Sequence, residues 1–153
     1  MGIKVIAIGN RIMGDDGVGI EVAEYLRGFF IENGLEVIIG ETDIGYSLSR
    51  INAEDFVIIL DASYKGGNIG DVSVIPLREA MSRREKFYTQ HQPNLIKWLY
   101  IYKIKVTGVV IGIEVKDVCL KLGLSPRIKE IFPEICMEVK KIIQWILEEE
   151  YYA

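Results

Sequence analysis

The sequence predicts a three-layer α/β domain, with a mainly parallel twisted sheet and helices on both faces. Short apolar runs alternate along the chain with stretches of helical periodicity, which is the pattern of strands joined by crossover helices. The chain has 153 residues, of which 50% are hydrophobic and 26% are charged. This size and composition predict a single domain over residues 1–153 with one sizeable core.

The first third of the chain predicts two strands joined by a helix. Residues 4–9, KVIAIG, are a short apolar run ending in glycine, which is typical of a buried strand. Residues 16–31 carry apolar side chains three and four positions apart, which predicts an amphipathic helix that stops at Asn33 and Gly34. Residues 35–40, LEVIIG, predict the second strand.

The middle of the chain predicts a central strand followed by an edge strand. Residues 46–53 predict a short helix, and 56–62, FVIILDA, predict a central strand because they are apolar throughout. The connection SYKGGNIGD is too short for a helical crossover. We therefore expect the next strand, 71–77, to run antiparallel near an edge, where Pro76 is tolerated. The polar residues 78–90 predict a long loop or a loose helix.

The last third predicts a helix, a strand and a terminal helical region. Residues 94–102 predict a helix, and residues 105–115, KVTGVVIGIEV, predict the last strand. Ser125 and Pro126 start the terminal helical region. We expect Pro133 to divide it into a short piece and a long piece, because proline cannot complete the helical hydrogen-bond ladder.

Charge and composition exclude several classes of partner. The net charge is −4, the isoelectric point is near 5.1 and there is no basic run, so we expect neither nucleic acid nor an anionic membrane as the main partner. No apolar stretch reaches the roughly 18 residues that span a bilayer, and the N-terminus has no signal-peptide pattern. Cys119 and Cys136 predict reduced, mostly buried thiols in a cytoplasmic protein.

An acidic, glycine-rich loop follows the first strand. Residues 9–19, GNRIMGDDGVG, stand where many α/β proteins bind phosphate. Asp15 and Asp16 would repel phosphate, and the glycines lack the dinucleotide-binding spacing. The loop therefore predicts a cation as its ligand and disfavours a nucleotide- or flavin-binding module.

Two further residues can complete a cation site. Asp61 ends the third strand, at the edge where open α/β sheets bind their ligands. If the first and third strands are neighbours, Asp16 and Asp61 project into one crevice. His91, the single histidine, lies at a helix N-terminus, where the dipole keeps the imidazole neutral and able to bind metal. Two carboxylates and one imidazole suit a borderline divalent ion.

Each of these residues also has a simpler interpretation. Asp16 can be an N-cap or first-turn acid, Asp61 can cap a turn, and His91 can be a surface histidine at a helix start. A hydrolase using Ser63, His91 and Asp61 is a further alternative, although Ser63 lacks the sharp strand–turn–helix context of such a nucleophile. The cation site depends on the convergence of all three ligands.

Four segments together resemble the [NiFe]-hydrogenase maturation endopeptidases. GNRIMGDDGVG resembles the family signature, with Arg11 at a mostly apolar position. VIILDA resembles the third strand, whose terminal aspartate matches Asp61, and TQHQ resembles a Ser-x-His-Gln segment that matches His91 and Gln92. GVVIGIEV followed by LGLSPRI resembles the last strand and the helix that follows it. One segment differs: GETDIG carries Asp43 where the family usually has threonine.

The resemblance implies a fold, an activity and a ligand set. The fold is a mixed five-stranded sheet in which the last strand lies between the third and the fourth. The activity is an endopeptidase that removes the C-terminal extension of the hydrogenase large-subunit precursor. Asp16, Asp61 and His91 would be both catalytic and nickel-binding, with the nickel already held by cysteines of the precursor. Asp15 would orient the loop or cap the helix. The alternative is a nickel-binding maturation factor without catalysis.

Overall fold

The computed structural model describes residues 2–82, 95–116 and 118–152, with side chains described as far as Glu149. In these ranges the chain forms five strands, six α-helices and a short 3-10 helix at Gly14–Gly17. The strands are β1 (Ile3–Ile8), β2 (Glu36–Glu41), β3 (Phe56–Ser63), β4 (Val72–Pro76) and β5 (Thr107–Glu114). The helices are α1 (Val18–Tyr25), α2 (Arg27–Glu32), α3 (Ile44–Ser49), α4 (Leu77–Ser82), α5 (Leu95–Ile101) and α6 (Pro126–Tyr152).

The five strands form one mixed sheet in the order β2-β1-β3-β5-β4. Strands β2, β1, β3 and β5 are parallel, and β4 runs antiparallel to β5 at the edge. This order confirms the predicted fold class and the position of the last strand between the third and the fourth. Because β1 pairs directly with β3, the loops that follow these two strands meet at the same edge of the sheet.

Helices cover both faces of the sheet and create two apolar layers. Helices α1, α2 and α6 pack on one face, and α3, α4 and α5 pack on the other. Side chains of β3 alternate between the layers: Ile58 and Leu60 enter the first, whereas Val57 and Ile59 enter the second. Burial on both faces explains why this strand is apolar throughout.

The predicted helix over 16–31 is correct in position but is not one continuous helix. It begins with the 3-10 helix, which contains both acids of the loop. The backbone then leaves helical geometry at Leu26, where ψ is 5°, and continues as α2. Gly28, a weak helix former, follows this break.

The predicted division of the terminal helix at Pro133 is wrong. Helix α6 runs without interruption from Pro126 to Tyr152 and contains the proline. One face of the helix is buried in the core through Ile128, Ile135, Val139, Ile143 and Ile146. Packing on both sides of the proline therefore outweighs the cost of about 3 kcal/mol that a proline imposes inside a helix.

Two smaller predictions are correct in part. Residues 77–82 form α4, so the helical alternative predicted for residues 78–90 applies to its first part, where Leu77 and Ala80 are buried one turn apart; residues 83–90 lie outside the described residues. Both cysteines are unpaired, but only Cys136 is buried, whereas Cys119 is exposed. In the described parts of the chain, no helix has the length and apolar character needed to cross a membrane.

Candidate active site

Two glycines allow the acidic loop to approach the end of β3. Gly9 has a φ of +144°, and a Cβ at this position would lie 2.3 Å from the carbonyl oxygen of Asp16. A Cβ at Gly19 would lie 2.8 Å from the carbonyl oxygen of Leu60, immediately before Asp61. Side chains at either position would push the loop away. The glycines therefore let the chain around Asp16 close against the strand that carries Asp61.

The Asp16 carboxylate is buried and is held from two sides. The side chain belongs to a residue that is 3% exposed. Its Oδ2 accepts a hydrogen bond of 2.9 Å from the backbone N–H of Asn10, and its Oδ1 accepts one from the hydroxyl of Tyr64. Both donors are neutral, so these contacts orient the carboxylate without neutralising its charge.

Asp61 lies at the end of β3 beside this acidic loop. Its Oδ1 accepts a hydrogen bond of 2.8 Å from the N–H of Ala62, and no described residue donates a hydrogen bond to its Oδ2. Burial, reinforced by the negative charge of Asp16, raises the pKa of Asp61 well above the usual 3.8, although the Ala62 N–H opposes this shift. The structure therefore brings the two acids close enough to repel each other electrostatically.

Tyr64 is a site residue that the sequence did not reveal. It follows β3, its ring is partly buried, and its hydroxyl donates to Asp16. Burial, the bond to Asp16 and the nearby charges of Asp16, Asp61 and Asp15 all raise the pKa of Tyr64. The phenol therefore remains protonated and acts as a donor at neutral pH. Its only sequence signal is its position three residues after Asp61, which does not separate it from core aromatics.

Asp15 faces a different partner from Asp16. Its carboxylate accepts a hydrogen bond of 2.6 Å from the backbone N–H of Ser125, at the start of α6. The Ser125 hydroxyl in turn accepts from the N–H of Ile128, 3.3 Å away, and so caps the helix. Asp15 thus links the acidic loop to the first turn of α6.

Arg11, the polar residue at an apolar position of the signature, fixes the other side of the loop. Its Nε lies 2.6 Å from a carboxylate oxygen of Glu41, and its guanidinium also pairs with Glu21 and Glu24. The hydrogen bond to Glu24 outweighs burial and raises the pKa of Arg11. The arginine thus joins the loop to α1 and to the end of β2.

Asp43, at the position where the family usually has threonine, has a local role. Its carboxylate accepts a hydrogen bond of 2.9 Å from the N–H of Tyr46 and thereby forms the N-cap of α3. This bond explains why α3 begins at Ile44, two residues before the helix predicted from the sequence.

His91 lies outside the described residues. Helix α5 begins four residues later at Leu95, and the side chain of Ile96 lines a small cavity together with Asp61 and Ser63. The Ser63 hydroxyl is buried and has no hydrogen-bond partner in the described residues.

Within the described residues, no three His, Cys, Asp or Glu side chains gather around a point where an ion could sit. The structure thus brings Asp16 and Asp61 together, and the third predicted ligand is not described.

Comparison with a family model identifies the family of the chain. The model of the hydrogenase maturation protease family matches residues 20–145. The chain belongs to this family. Family membership confirms the resemblance that the sequence motifs indicated, and it supports a protease activity.

Relatives of the protease match it over nearly its whole length. A protein of Methanocaldococcus jannaschii, provisionally named a hydrogenase maturation protease, is 27% identical over 150 residues, covering 96% of this chain and 95% of that protein. The structure of Escherichia coli HybD, a hydrogenase maturating endopeptidase, has a TM-score of 0.75 at 19% identity, covering 94% of this chain and 93% of that chain. HybD from Thermococcus kodakarensis has a TM-score of 0.70 at 24% identity, covering 93% and 99%. At these identities the solved structures establish the shared fold.

Proposed function

We propose that this protease removes the C-terminal extension of a nickel-loaded [NiFe]-hydrogenase large-subunit precursor. The observation that supports this function best is the pair of acids at the edge of the sheet. Asp16 and Asp61 interact electrostatically, and neither forms an ion pair with a described lysine or arginine. Two adjacent carboxylates without a cationic partner favour binding of a cation from outside the chain.

The donor set suits an ion that the substrate carries. Carboxylates and an imidazole bind nickel only modestly in comparison with thiolates, so the enzyme alone should hold it weakly. We propose that Asp16, Asp61 and His91 contact the ion while cysteines of the precursor supply the remaining ligands. His91 is five residues from Ile96, a separation that spans at most about 18 Å. Because Ile96 shares a cavity with Asp61, the imidazole is within chain reach of the acids.

The chain's own residues orient the reacting groups. Tyr64 and Asn10 fix the Asp16 carboxylate, and the Oδ2 atom of Asp61 is left to meet the ion or a water molecule. A divalent ion at this point can polarise a scissile carbonyl or activate water for attack on it. Nickel would then serve as a check on the substrate, because only a loaded precursor brings an ion, held by its own cysteines, for Asp16, Asp61 and His91 to contact.

The test is mass spectrometry of purified precursor after mixing with the enzyme. We expect the nickel-loaded precursor to lose its C-terminal extension and the nickel-free precursor to keep it. Cleavage of nickel-free precursor at the same rate would refute the nickel check but would leave the protease assignment. An unchanged mass of loaded precursor that still binds the enzyme would instead identify a nickel-binding maturation factor without catalysis.

The ligand assignment has its own test in His91→Ala. We expect this variant to fold as the wild type does and to leave nickel-loaded precursor uncut, because it lacks the nitrogen ligand. Circular dichroism checks the fold and mass spectrometry checks the processing. Normal cleavage by His91→Ala would refute the assignment of His91 as a ligand.

We assign the reaction to the cytoplasm. Cys119 is exposed and Cys136 is buried, and both thiols are unpaired. Unpaired thiols are typical of reducing compartments, where a hydrogenase precursor would meet the enzyme before its maturation is complete.

A further inference from the structure

A short backbone pairing extends the acidic loop sideways. Met13 and Lys121 form an isolated parallel bridge. The N–H of Lys121 donates to the carbonyl of Ile12 at 2.9 Å, and the N–H of Gly14 donates to the carbonyl of Lys121 at 2.8 Å. Residues 120–122 therefore lie alongside the loop, joined to it by a single bridge, and the chain bends at Leu120 and at Leu122. We call residues 120–122 the outer edge.

The outer edge exposes large apolar side chains. Leu120 is 80% exposed and Leu122 is 78% exposed, and Ile12 on the paired segment is 54% exposed. The two leucines are the most exposed large apolar residues in the described part of the chain. Adjacent exposed apolar side chains of this size commonly mark a binding surface.

The backbone of the outer edge has capacity for another strand. In a parallel bridge, one residue makes both hydrogen bonds and its neighbours direct their backbone groups to the opposite side. Here Lys121 makes both bonds. No backbone hydrogen bond joins Leu120 or Leu122 to any residue in the described ranges. The C=O of Leu120 and the N–H of Leu122 share peptide groups with the bonded N–H and C=O of Lys121, so both point away from the loop, next to apolar side chains.

The outer edge is continuous with the candidate active site. The N–H of Asp16 lies 3.3 Å from the carbonyl oxygen of Met13, the residue that pairs with Lys121. At its other end, the segment reaches Ser125, whose N–H donates to Asp15. A peptide on this edge would therefore lie within a few residues of the acidic loop.

We propose that the outer edge binds an extended, apolar segment of the protein substrate as an added strand. This inference rests on the proposed function. A protease must hold its substrate extended near the scissile bond, and strand addition does so with main-chain hydrogen bonds, while adjacent side chains select apolar residues. A second copy of this chain is the competing occupant, and the experiments below separate the two.

The first experiment removes the apolar side chains and keeps the backbone. We expect the double variant Leu120→Ser/Leu122→Ser to raise the KM for nickel-loaded precursor by about tenfold or more, with kcat unchanged. Ile31→Ser is the matched control, because Ile31 is 60% exposed on α2, away from the loop. An unchanged KM in the double variant, with normal cleavage, would overturn the outer edge as a docking site and leave the proposed function intact.

The second experiment tests the added strand by amide hydrogen exchange. It uses the His91→Ala chain saturated with nickel-loaded precursor, where binding is first verified by light scattering. We expect exchange at the Leu120 and Leu122 amides to slow by at least tenfold, while the Lys121 amide, already bonded to Ile12, changes less. No added protection at Leu120 and Leu122 would overturn strand addition. Protection that grows with enzyme concentration alone would overturn it in favour of a second copy.

The two experiments also separate this inference from the proposed function. If the precursor binds and protects the outer edge but is never cut by the wild-type chain, the protease proposal fails and the docking site stands.

Discussion

At the scale of single residues, Tyr64 shows how a neutral donor can position a buried acid. Its hydroxyl and the N–H of Asn10 hold the two oxygens of Asp16 in fixed directions. A positive donor in this place would compete with an incoming cation for the carboxylate. A tyrosine with a raised pKa orients Asp16 and leaves its charge available.

Tyr64→Phe tests this role. The variant keeps the ring and its packing but removes the hydrogen bond to Asp16. We expect kcat/KM for nickel-loaded precursor to fall by about tenfold, which corresponds to about 1.4 kcal/mol from one charge-assisted hydrogen bond. The affinity of the isolated chain for Ni²⁺, measured by calorimetry, should fall with it.

Tyr46→Phe is the matched control for this substitution. It removes the Tyr46 hydroxyl, which accepts a hydrogen bond from Arg50 just after α3, and α3 does not carry the acids. In Tyr46→Phe, kcat/KM for nickel-loaded precursor and the affinity for Ni²⁺ should both stay at the wild-type value. Equal values in Tyr64→Phe and Tyr46→Phe would contradict the positioning role.

The sequence predicted that Asp16 and Asp61 lie near each other but did not predict the residues that support them. Asp61 stands out because it lies at the end of an apolar strand and Asp16 because its loop follows one, and parallel strands of one sheet end at a shared edge. The partners of Arg11 do not stand out in this way. Glu24 and Glu41 are 13 and 30 residues from Arg11, and only the folded chain brings them together. Long-range pairing of this kind leaves no local pattern in the sequence.

At the scale of elements, α6 shows tertiary packing overriding a local signal. Proline is a strong helix breaker, and Pro133 predicted an interruption. The buried isoleucine and valine positions of the helix keep the same face toward the core before and after it. The periodicity of these positions therefore predicted the helix correctly, whereas the proline predicted its end incorrectly.

The variant Pro133→Ala measures how much the proline inside α6 destabilises the fold. Pro133 is exposed, so alanine loses little packing and restores a backbone donor. We expect the free energy of unfolding, from chemical denaturation, to rise by about 1–3 kcal/mol. Glu134→Ala, at the exposed neighbouring position, should change it by less than about 0.5 kcal/mol. A less stable Pro133→Ala chain would mean that the proline is favourable where it stands.

At the scale of the whole molecule, the order of the strands creates the site. The pairing of β1 with β3 brings the acidic loop to Asp61, and α5 packs on the face of the sheet next to the same strand end. The alternation of strands and helices predicted the fold class. It could not predict that β5 inserts between β3 and β4, because periodicity carries no information about which strands pair. That order came from the resemblance to a known family.

A buried ion pair ties β1 to the start of β3. Lys4 Nζ lies 2.7 Å from a carboxylate oxygen of Asp55, and both side chains are almost fully buried. Burial alone would raise the pKa of Asp55, but the bonds from Lys4 and from the N–H groups of Asn52 and Gly2 outweigh it and lower the pKa. The folded state thus favours the ionised carboxylate.

The lowered pKa of Asp55 determines the pH range in which the Lys4–Asp55 pair stabilises the folded state. The stabilisation by this pair is present in full above the pKa of Asp55 in the unfolded chain, about 3.9. It is lost as the pH falls through the lower pKa that Asp55 has in the folded chain. We expect Asp55→Asn to reduce the free energy of unfolding by about 3 kcal/mol at neutral pH, because it removes the buried carboxylate nearest to Lys4 and leaves only the half-exposed Glu36, 3.8 Å away, and the Arg50 carbonyl as partners. The difference from wild type should shrink below about pH 4.

Denaturation of both chains across this acidic range provides the measurement. Asp43→Asn is the control, since asparagine also caps helices well and Asp43 is exposed. A constant difference between wild type and Asp55→Asn down to the lowest pH would contradict the lowered pKa.

The hydrogen bond from Ser125 to Asp15 has a consequence for how the acidic loop and the outer edge respond to ligands. It fastens one end of the segment containing residues 120–122, while the Met13–Lys121 bridge fastens the segment's middle. If the acids bind a metal and the outer edge binds a peptide, as proposed, any coupling between the two sites is reciprocal. The factor by which a metal at the acids would change the affinity for the peptide is then the same factor by which the peptide would change the affinity for the metal.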